Sequence, residues 1–91
     1  SYLEAVRWAL DGASVVADSA TVEGSEIGNN VHVMADAHVE NSQLHDAVIF
    51  PAATIRNCEV RDSIVDRETH IENIDFSGAL IGAHTEITNS E

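Results

Sequence analysis

The sequence predicts an all-β protein, a single chain wound into about five triangular coils of parallel strands and preceded by a short N-terminal α-helix. Large apolar residues recur every sixteen or seventeen positions in three lanes. Small residues recur in register with these lanes, and glycine, asparagine or aspartate recurs where the chain must turn. A fixed internal period of this kind marks one structural unit that is stacked on itself.

The three lanes hold only large apolar side chains. Lane 1 is Val16, Val33, Ile49, Val65 and Ile81; lane 2 is Val22, Val39, Ile55, Ile71 and Ile87; lane 3 is Ile27, Leu44, Val60 and Phe76. Between lane positions the residues alternate in character, as strands with one buried face require. We therefore expect each lane to line one inner wall of a triangular prism, with its members directly above one another.

Further columns supply small residues for the interior and special residues for the corners. Small inward residues are expected at Ala20, Ala37, Ala53, Thr69 and Thr85. The only cysteine, Cys58, shares a column with Ser25 and Ser42, which indicates a small core filler. Corner residues that accept a positive φ or hydrogen-bond their own turn are Gly24, Asn41, Asn57, Asn73 and Asn89 in one column, and Asn29, Asp46, Asp62 and Gly78 in another. Stacked asparagines about 4.8 Å apart are expected to form a ladder.

The first twelve residues predict a linker helix ahead of the β domain, which takes residues 13–91. Ser1 and Glu4 have the spacing of a capping box, and Leu3, Val6 and Leu10 follow helical spacing. Gly12 is a suitable stop for a helix over residues 1–10. So short a helix must dock on the rest of the chain. Trp8 is expected to support that docking, with ligand stacking as the alternative.

The charge balance excludes two classes of partner. Sixteen acidic residues face four arginines and no lysine, so the net charge is -12. Nucleic acid and anionic membranes would be repelled. Adaptation to high salt, where ions screen the self-repulsion, is the favoured explanation, and it indicates a halophilic origin. With no apolar run near the roughly 20 residues needed to span a bilayer and no signal peptide, we expect a cytoplasmic protein.

Several motifs resemble a known group of enzymes. The unit that begins Ile27-Gly28, and units of the form Val-x-x-x-Ala, resemble the hexapeptide repeat of left-handed parallel β-helices. The shortened turns at Asn41-Ser42, Asn57-Cys58 and Asp62-Ser63 resemble those of sugar-1-phosphate nucleotidyltransferases. Residues 1–10 resemble the helix that joins the catalytic domain of those enzymes to their β-helix, and residues 77–85 resemble the tail of long-form glucose-1-phosphate thymidylyltransferases. The resemblance covers nearly all of the chain, and left-handed winding is inferred from it alone.

The resemblance implies a domain without catalytic machinery of its own. In that family the phosphate-binding loop, the catalytic lysine and the site for Mg²⁺ lie in an N-terminal domain, whereas this chain has neither a Gly-rich loop nor a lysine. We expect this chain to be part of a longer protein that makes a nucleotide-sugar from a sugar 1-phosphate and an NTP. Its role would be homo-oligomer assembly and support of the catalytic domain. The alternatives are a hexapeptide acyltransferase domain and a purely structural oligomerisation module.

The five histidines raise the possibility of metal binding or acyl transfer. His38 and His70 are predicted to share one corner column two coils apart, about 9.6 Å, which is too far for one zinc ion. His32 and His45 belong to other columns, and a metal site shared between subunits is the alternative. His84 is expected to stack on Glu68, which would orient its ring. His84 is therefore the candidate general base if the domain transfers acyl groups.

One outward column of the prism is apolar. It contains His32, Val48, Ile64 and Leu80, with Met34 and Phe50 beside it, whereas the comparable column before lane 3 is Glu26, Gln43, Glu59 and Asp75. A contiguous apolar patch on a protein surface is usually covered. We predict a subunit interface formed by Met34, Val48, Phe50, Ile64 and Leu80. Alternatively, the N-terminal helix covers part of this column through Leu3, Val6 and Leu10.

Overall fold

The structure is a computed structural model that describes residues 14–89. Within this range the chain forms twelve short strands and no α-helix. The strands are β1 (Val15–Val16), β2 (Thr21–Glu23), β3 (Glu26–Ile27), β4 (His32–Val33), β5 (His38–Glu40), β6 (Gln43–Ile49), β7 (Thr54–Arg56), β8 (Glu59–Val65), β9 (His70–Glu72), β10 (Phe76–Ser77), β11 (Leu80–Ile81) and β12 (Glu86–Thr88). The helix predicted over residues 1–10 lies outside the described residues.

The strands stack in parallel, and the register of the three lanes is confirmed. In lane 1, Val33 pairs with Ile49, which pairs with Val65. The other lanes behave in the same way, since Val39 pairs with Ile55 and Leu44 pairs with Val60. The chain is therefore a parallel β-solenoid of about five coils, as the sixteen-residue period predicts.

Each lane defines one wall of the solenoid. Wall 1 consists of β1, β4, the ends of β6 and β8, and β11; wall 2 of β2, β5, β7, β9 and β12; wall 3 of β3, the beginnings of β6 and β8, and β10. Strands β6 and β8 are seven residues long and pass from wall 3 to wall 1 without a break. Walls 1 and 3 therefore share one bent sheet, while wall 2 is a separate sheet.

The lanes supply the core, and the core is best closed in the middle coils. Val33, Ile49 and Val65 of lane 1 have no exposed surface, whereas Val16 in the first coil is 40% exposed. The predicted small residues Ala37, Ala53 and Thr69 are buried beside them, as are the other inward residues of the central coils. Each coil covers its neighbours, so a terminal coil is covered on one side only.

Most predicted corner residues have the left-handed backbone expected of them. In the corner after lane 2, φ is 57° at Gly24, 49° at Asn41 and 60° at Asn73. The asparagine ladder is also present, since the side-chain amide of Asn57 donates to that of Asn73 at 3.0 Å, and Asn73 donates to the carbonyl of Asn89 at 2.9 Å. These bonds run along the stack and tie successive corners together.

One predicted corner residue was wrong by one position. Asn30, not Asn29, has positive φ (58°), and its side chain donates to Asp46 at 3.0 Å. The reason is an extra residue in this segment of the first coil, because Ile27 and Val33 are six apart while their partners Leu44 and Ile49 are five apart. The solenoid accommodates the additional residue in the corner and keeps both walls in register.

The shortened turns depend on a small hydrogen-bonding side chain that follows the left-handed residue. The Ser42 hydroxyl donates to the carbonyl of Glu40 at 2.8 Å and accepts from the backbone N–H of Cys58 at 3.1 Å. The Cys58 thiol donates in the same way to the carbonyl of Arg56. Cys58 is buried, as predicted for a core filler, and its burial raises the pKa of the thiol. Backbone hydrogen bonds oppose that rise only in part.

The next residue in this column, Ile74, cannot continue the pattern. In the earlier coils the backbone N–H groups of Glu26 and Gln43 donate to the carbonyls of Ser42 and Cys58 in the following coil. The N–H of Glu59 instead donates to the side chain of Asp75 at 2.9 Å. A carboxylate thus replaces a carbonyl at the one coil where a large side chain stands in the small-residue column.

A further column, which the sequence did not predict to be left-handed, contains Asp36, Ala52, Glu68 and His84. Ala52 has φ of 63° and no side-chain polar group with which to offset the cost of that conformation, which is about 1–2 kcal/mol for an L-residue.

We expect Ala52→Gly to raise the free energy of unfolding by about 1 kcal/mol, because glycine avoids this cost but loses more chain entropy on folding.

The measurement is urea denaturation followed by circular dichroism, with Ala53→Gly as the matched control. Ala53 is the next residue in the chain and is buried in the core, and it is absent from the residues with positive φ. Its replacement is expected to destabilise the protein. Destabilisation by Ala52→Gly as well would contradict this account of the corner.

Candidate functional site

The interior of the solenoid is filled by the three lanes, so any functional site of the described residues must lie on the outer walls or corners. The outward residues form columns that run along the stack, one residue per coil. The apolar column of wall 1 is Val15, His32, Val48, Ile64 and Leu80. The three walls differ sharply in the chemistry of these outward residues.

The apolar column is in register as predicted, and the exposure of its residues varies along the stack. Leu80 is 75% exposed, whereas Ile64, Met34 and Phe50 are half-buried. Val48, one of the predicted interface residues, has no exposed surface. Val48 therefore offers no surface for a partner in the single chain, and the exposed part of the predicted interface lies towards the end of the stack, around Leu80.

Wall 3 is polar, as its sequence predicts. Glu26, Gln43 and Glu59 pair in register. Beside them lies a groove of about 540 Å³, which the sequence did not predict. Gly28 lines it, and a Cβ at this position would come within 2.5 Å of Nδ1 of His45. The only sequence signal for the groove is this glycine in an otherwise filled column.

The groove has basic groups, but both are engaged with acids. Arg61 Nη2 lies 3.2 Å from Oε1 of Glu59, and His45 Nε2 lies 3.5 Å from Oδ2 of Asp46. Basic groups that already have partners at the surface are poor recognition groups for an anion, because a ligand must compete with the existing contact. We therefore assign no ligand to this groove.

Wall 2 carries two repeated His–Glu pairs. His38 and His70 are separated by Thr54 in one column, as predicted, although this column lies within the strands and not at a corner. Each histidine contacts the glutamate two residues later, at 3.3 Å from His38 to Glu40 and 3.1 Å from His70 to Glu72. Within residues 14–89, no group of three or more His, Cys, Asp or Glu side chains is arranged to hold a metal ion.

The pair of His84 and Glu68 is formed. Nδ1 of His84 lies 2.8 Å from Oε2 of Glu68, in successive coils of the left-handed corner. The contact orients the ring and leaves Nε2 available to accept a proton from a substrate. Both side chains are more than half exposed, at 63% and 54%. The same geometry therefore describes an ordinary surface ion pair, whose contribution to stability is small.

No helix among residues 14–89 is long and apolar enough to cross a membrane.

Acidic side chains occur on walls 2 and 3, for example Glu23 and Glu86 on wall 2 and Glu26 on wall 3. Two of the arginines in the described range lie close to acids, at 3.4 Å for Arg56 with Glu40 and 3.2 Å for Arg61 with Glu59. The surface potential is consequently negative on these walls.

Parallel coils with three apolar lanes and left-handed corners define the class of hexapeptide-repeat β-solenoids. A comparison with protein-family models matches residues 5–89 to the GlmU-like, C-terminal hexapeptide family. The match spans nearly the whole chain, and the chain belongs to this family. Searches of curated proteins and of solved structures found no match.

Membership of this family identifies the chain as a C-terminal β-helix module of the kind carried by nucleotidyltransferases or acetyltransferases. Such hexapeptide domains are typically oligomerisation modules, which is consistent with a homo-oligomer. The walls described above therefore have to be considered as surfaces for assembly as well as for ligand binding.

Proposed function

We propose that this chain is the non-catalytic C-terminal domain of a nucleotidyltransferase that makes a nucleotide-sugar from a sugar 1-phosphate and an NTP. The resemblance of its opening and closing segments to glucose-1-phosphate thymidylyltransferases favours that enzyme type over others with the same repeat. The winding is left-handed, as in those enzymes. Mg²⁺ and the chemistry of nucleotidyl transfer belong to the domain that precedes this one, and the whole protein works in the cytoplasm.

The role of the domain in that protein is subunit assembly and support of the catalytic domain. The observation that carries this role is Leu80, a large apolar side chain that is 75% exposed at the end of an apolar column. Ile64 adjoins it in the preceding coil and is half-buried. Removing such a surface from water by contact with a second copy is favourable, at about 25 cal/mol per Å² of apolar area. The interface is centred on Leu80 and Ile64, with Met34 and Phe50 nearer its rim.

We expect Leu80→Asp to lower the mass of the assembly, because it places a charge in the apolar contact. The measurement is sedimentation equilibrium, which reports mass without reference to shape. Gln43→Asp is the matched control, since it adds the same charge to the polar column of wall 3. A wild-type chain that sediments as a monomer, or an equal effect of the two substitutions, would rule out assembly through this surface.

The negative surface predicts a dependence on salt. At 0.1 M ionic strength the screening length is about 10 Å, which exceeds the distance of about 4.8 Å between neighbouring coils. At 1 M the screening length falls to about 3 Å, so acids in neighbouring coils repel one another less. We expect the urea midpoint to rise steadily between 0.1 and 2 M KCl, as halophilic origin requires. The double variant Glu23→Gln, Glu86→Gln is expected to show a weaker dependence, because it removes two acids from wall 2. A midpoint that is independent of KCl would contradict the proposal of a halophilic origin.

A second candidate function is acyl transfer with His84 as the general base. The 2.8 Å contact between His84 and Glu68 favours it, because a carboxylate on Nδ1 fixes the orientation of the ring. In the full-length protein, His84→Asn is then expected to reduce acetyl transfer from acetyl-coenzyme A by about 100-fold or more. His70→Asn is the control, since His70 has a similar contact with Glu72 on wall 2. The same low rate in all three proteins would reject this function.

A further inference from the structure

The two His–Glu pairs of wall 2 have the spacing of adjacent metal ligands. In each pair the histidine and the glutamate flank one buried residue of the same strand, so both side chains leave the outer face. Two ligands at about 2.0–2.1 Å from a tetrahedral zinc ion lie about 3.3 Å apart. Nε2 of His70 lies 3.1 Å from Oε2 of Glu72, and the distance from His38 to Glu40 is 3.3 Å. Each pair can therefore supply two neighbouring ligands for one ion.

The surroundings of the two pairs differ, and they favour His70 with Glu72. The carboxylate of the other pair is already in contact with a cation, since Nε of Arg56 lies 3.4 Å from the same oxygen of Glu40 that His38 contacts. Among residues 14–89, no arginine lies within ion-pair distance of Glu72. A metal ion would thus compete with an arginine at the first pair and with none at the second.

A third ligand adjoins only the second pair. Glu86 pairs in register with His70 one coil further along the stack, and its side chain is exposed. Neighbouring coils are about 4.8 Å apart, so its carboxylate reaches the pair by a change of rotamer, without movement of the backbone. The corresponding neighbours of His38 are Thr21 and Thr54, which have no carboxylate.

We propose that His70, Glu72 and Glu86 bind a divalent transition-metal ion such as Zn²⁺ on the outer face of wall 2. One imidazole, two carboxylates and a water molecule supply the four positions that zinc prefers. His70 and Glu72 are the ligands already side by side, and the ion draws the carboxylate of Glu86 towards them. Imidazole in the set favours zinc, nickel or copper over magnesium and calcium, which prefer oxygen ligands alone.

Such an ion would join two coils, because its ligands come from β9 and β12. The strand that gains from this is β12, where the lane residue Ile87 is only half-buried, whereas Ile71 of β9 is fully buried. The site lies on wall 2 and the apolar column lies on wall 1. Metal binding and assembly through Leu80 are therefore separate proposals that succeed or fail independently.

The test is isothermal titration of the chain with ZnCl₂ in about 0.5 M KCl, which screens the general attraction of cations to an acidic surface. An excess of MgCl₂ is present to fill sites made of carboxylates alone. We expect one zinc ion per chain. Loss of a residue that only supports a metal ligand costs about 10–100-fold in affinity, so we expect His70→Ala and Glu86→Gln each to weaken binding at least about tenfold.

His38→Ala is the matched control, since it removes the same residue from the same His-x-Glu arrangement on β5, and it is expected to leave the affinity unchanged. Without zinc, His38→Ala and His70→Ala are expected to keep similar urea midpoints, because both side chains lie on the outer face. An equal loss of affinity in these two variants, or no loss in His70→Ala, would overturn the proposal. So would a wild-type chain that binds no zinc under these conditions.

Hydrogen exchange tests the link between the coils. Zinc is expected to raise the protection of the amides of β12 in the wild type and not in His70→Ala, while β2, at the other end of wall 2, is unchanged. An equal gain in β2 and β12 would contradict a local tie. Binding of one ion per two chains, with a doubled mass in sedimentation, would also overturn the proposal, because a second copy would then supply the missing ligands.

Discussion

The structure depends on one constraint, which is that every coil must return to the same place above the coil before it. Backbone hydrogen bonds between parallel strands are evenly spaced and need neighbouring strands to stay in register. Lane residues then fall on lane residues, for example Ile55 between Val39 and Ile71, so that each coil completes the core of the next. A chain of 91 residues that is too small to bury a large central core can in this way share a narrow one along its length.

Departures from the regular repeat are accommodated at the corners, while the strands of the walls keep their register. An extra residue in the first coil appears at the corner before Asn30, and both flanking walls keep their register. At Ile74 the small-residue column is interrupted, and the carboxylate of Asp75 takes the hydrogen bond that a carbonyl accepts elsewhere. Left-handed residues at the corners have a conformational cost, which the ladders of Asn57 and Asn73 partly offset by bonding from coil to coil.

Filling the interior with side chains moves every possible function to the outside. The three walls share one repeat but differ in the residues that alternate outward: wall 2 is polar with two His–Glu pairs, wall 3 is polar with a groove over Gly28, and wall 1 is apolar. Charged walls remain solvated, whereas a contiguous apolar surface is usually covered by a partner or by another part of the chain. This asymmetry in chemistry is the clearest difference among the outer faces of the described residues. It is consistent with the assembly role that is typical of the family.

The sequence by itself determined the stacked parallel coils, because a sixteen-residue period in large side chains is visible in one dimension and requires each repeat to lie above the one before it. It placed all three lanes, the buried Cys58 and the stacking of His84 on Glu68 correctly. Only the tertiary structure decided the exposure of the outer faces and the details of the corners. The first coil has one residue more between Ile27 and Val33 than the next coil has at the same place, and the sequence does not show where in the corner that residue is accommodated. In the structure, Asn30 and not Asn29 has the left-handed conformation. Alternation shows that Val48 points outward, but the repeat pattern does not show how much of a side chain's surface stays exposed once the chain is folded.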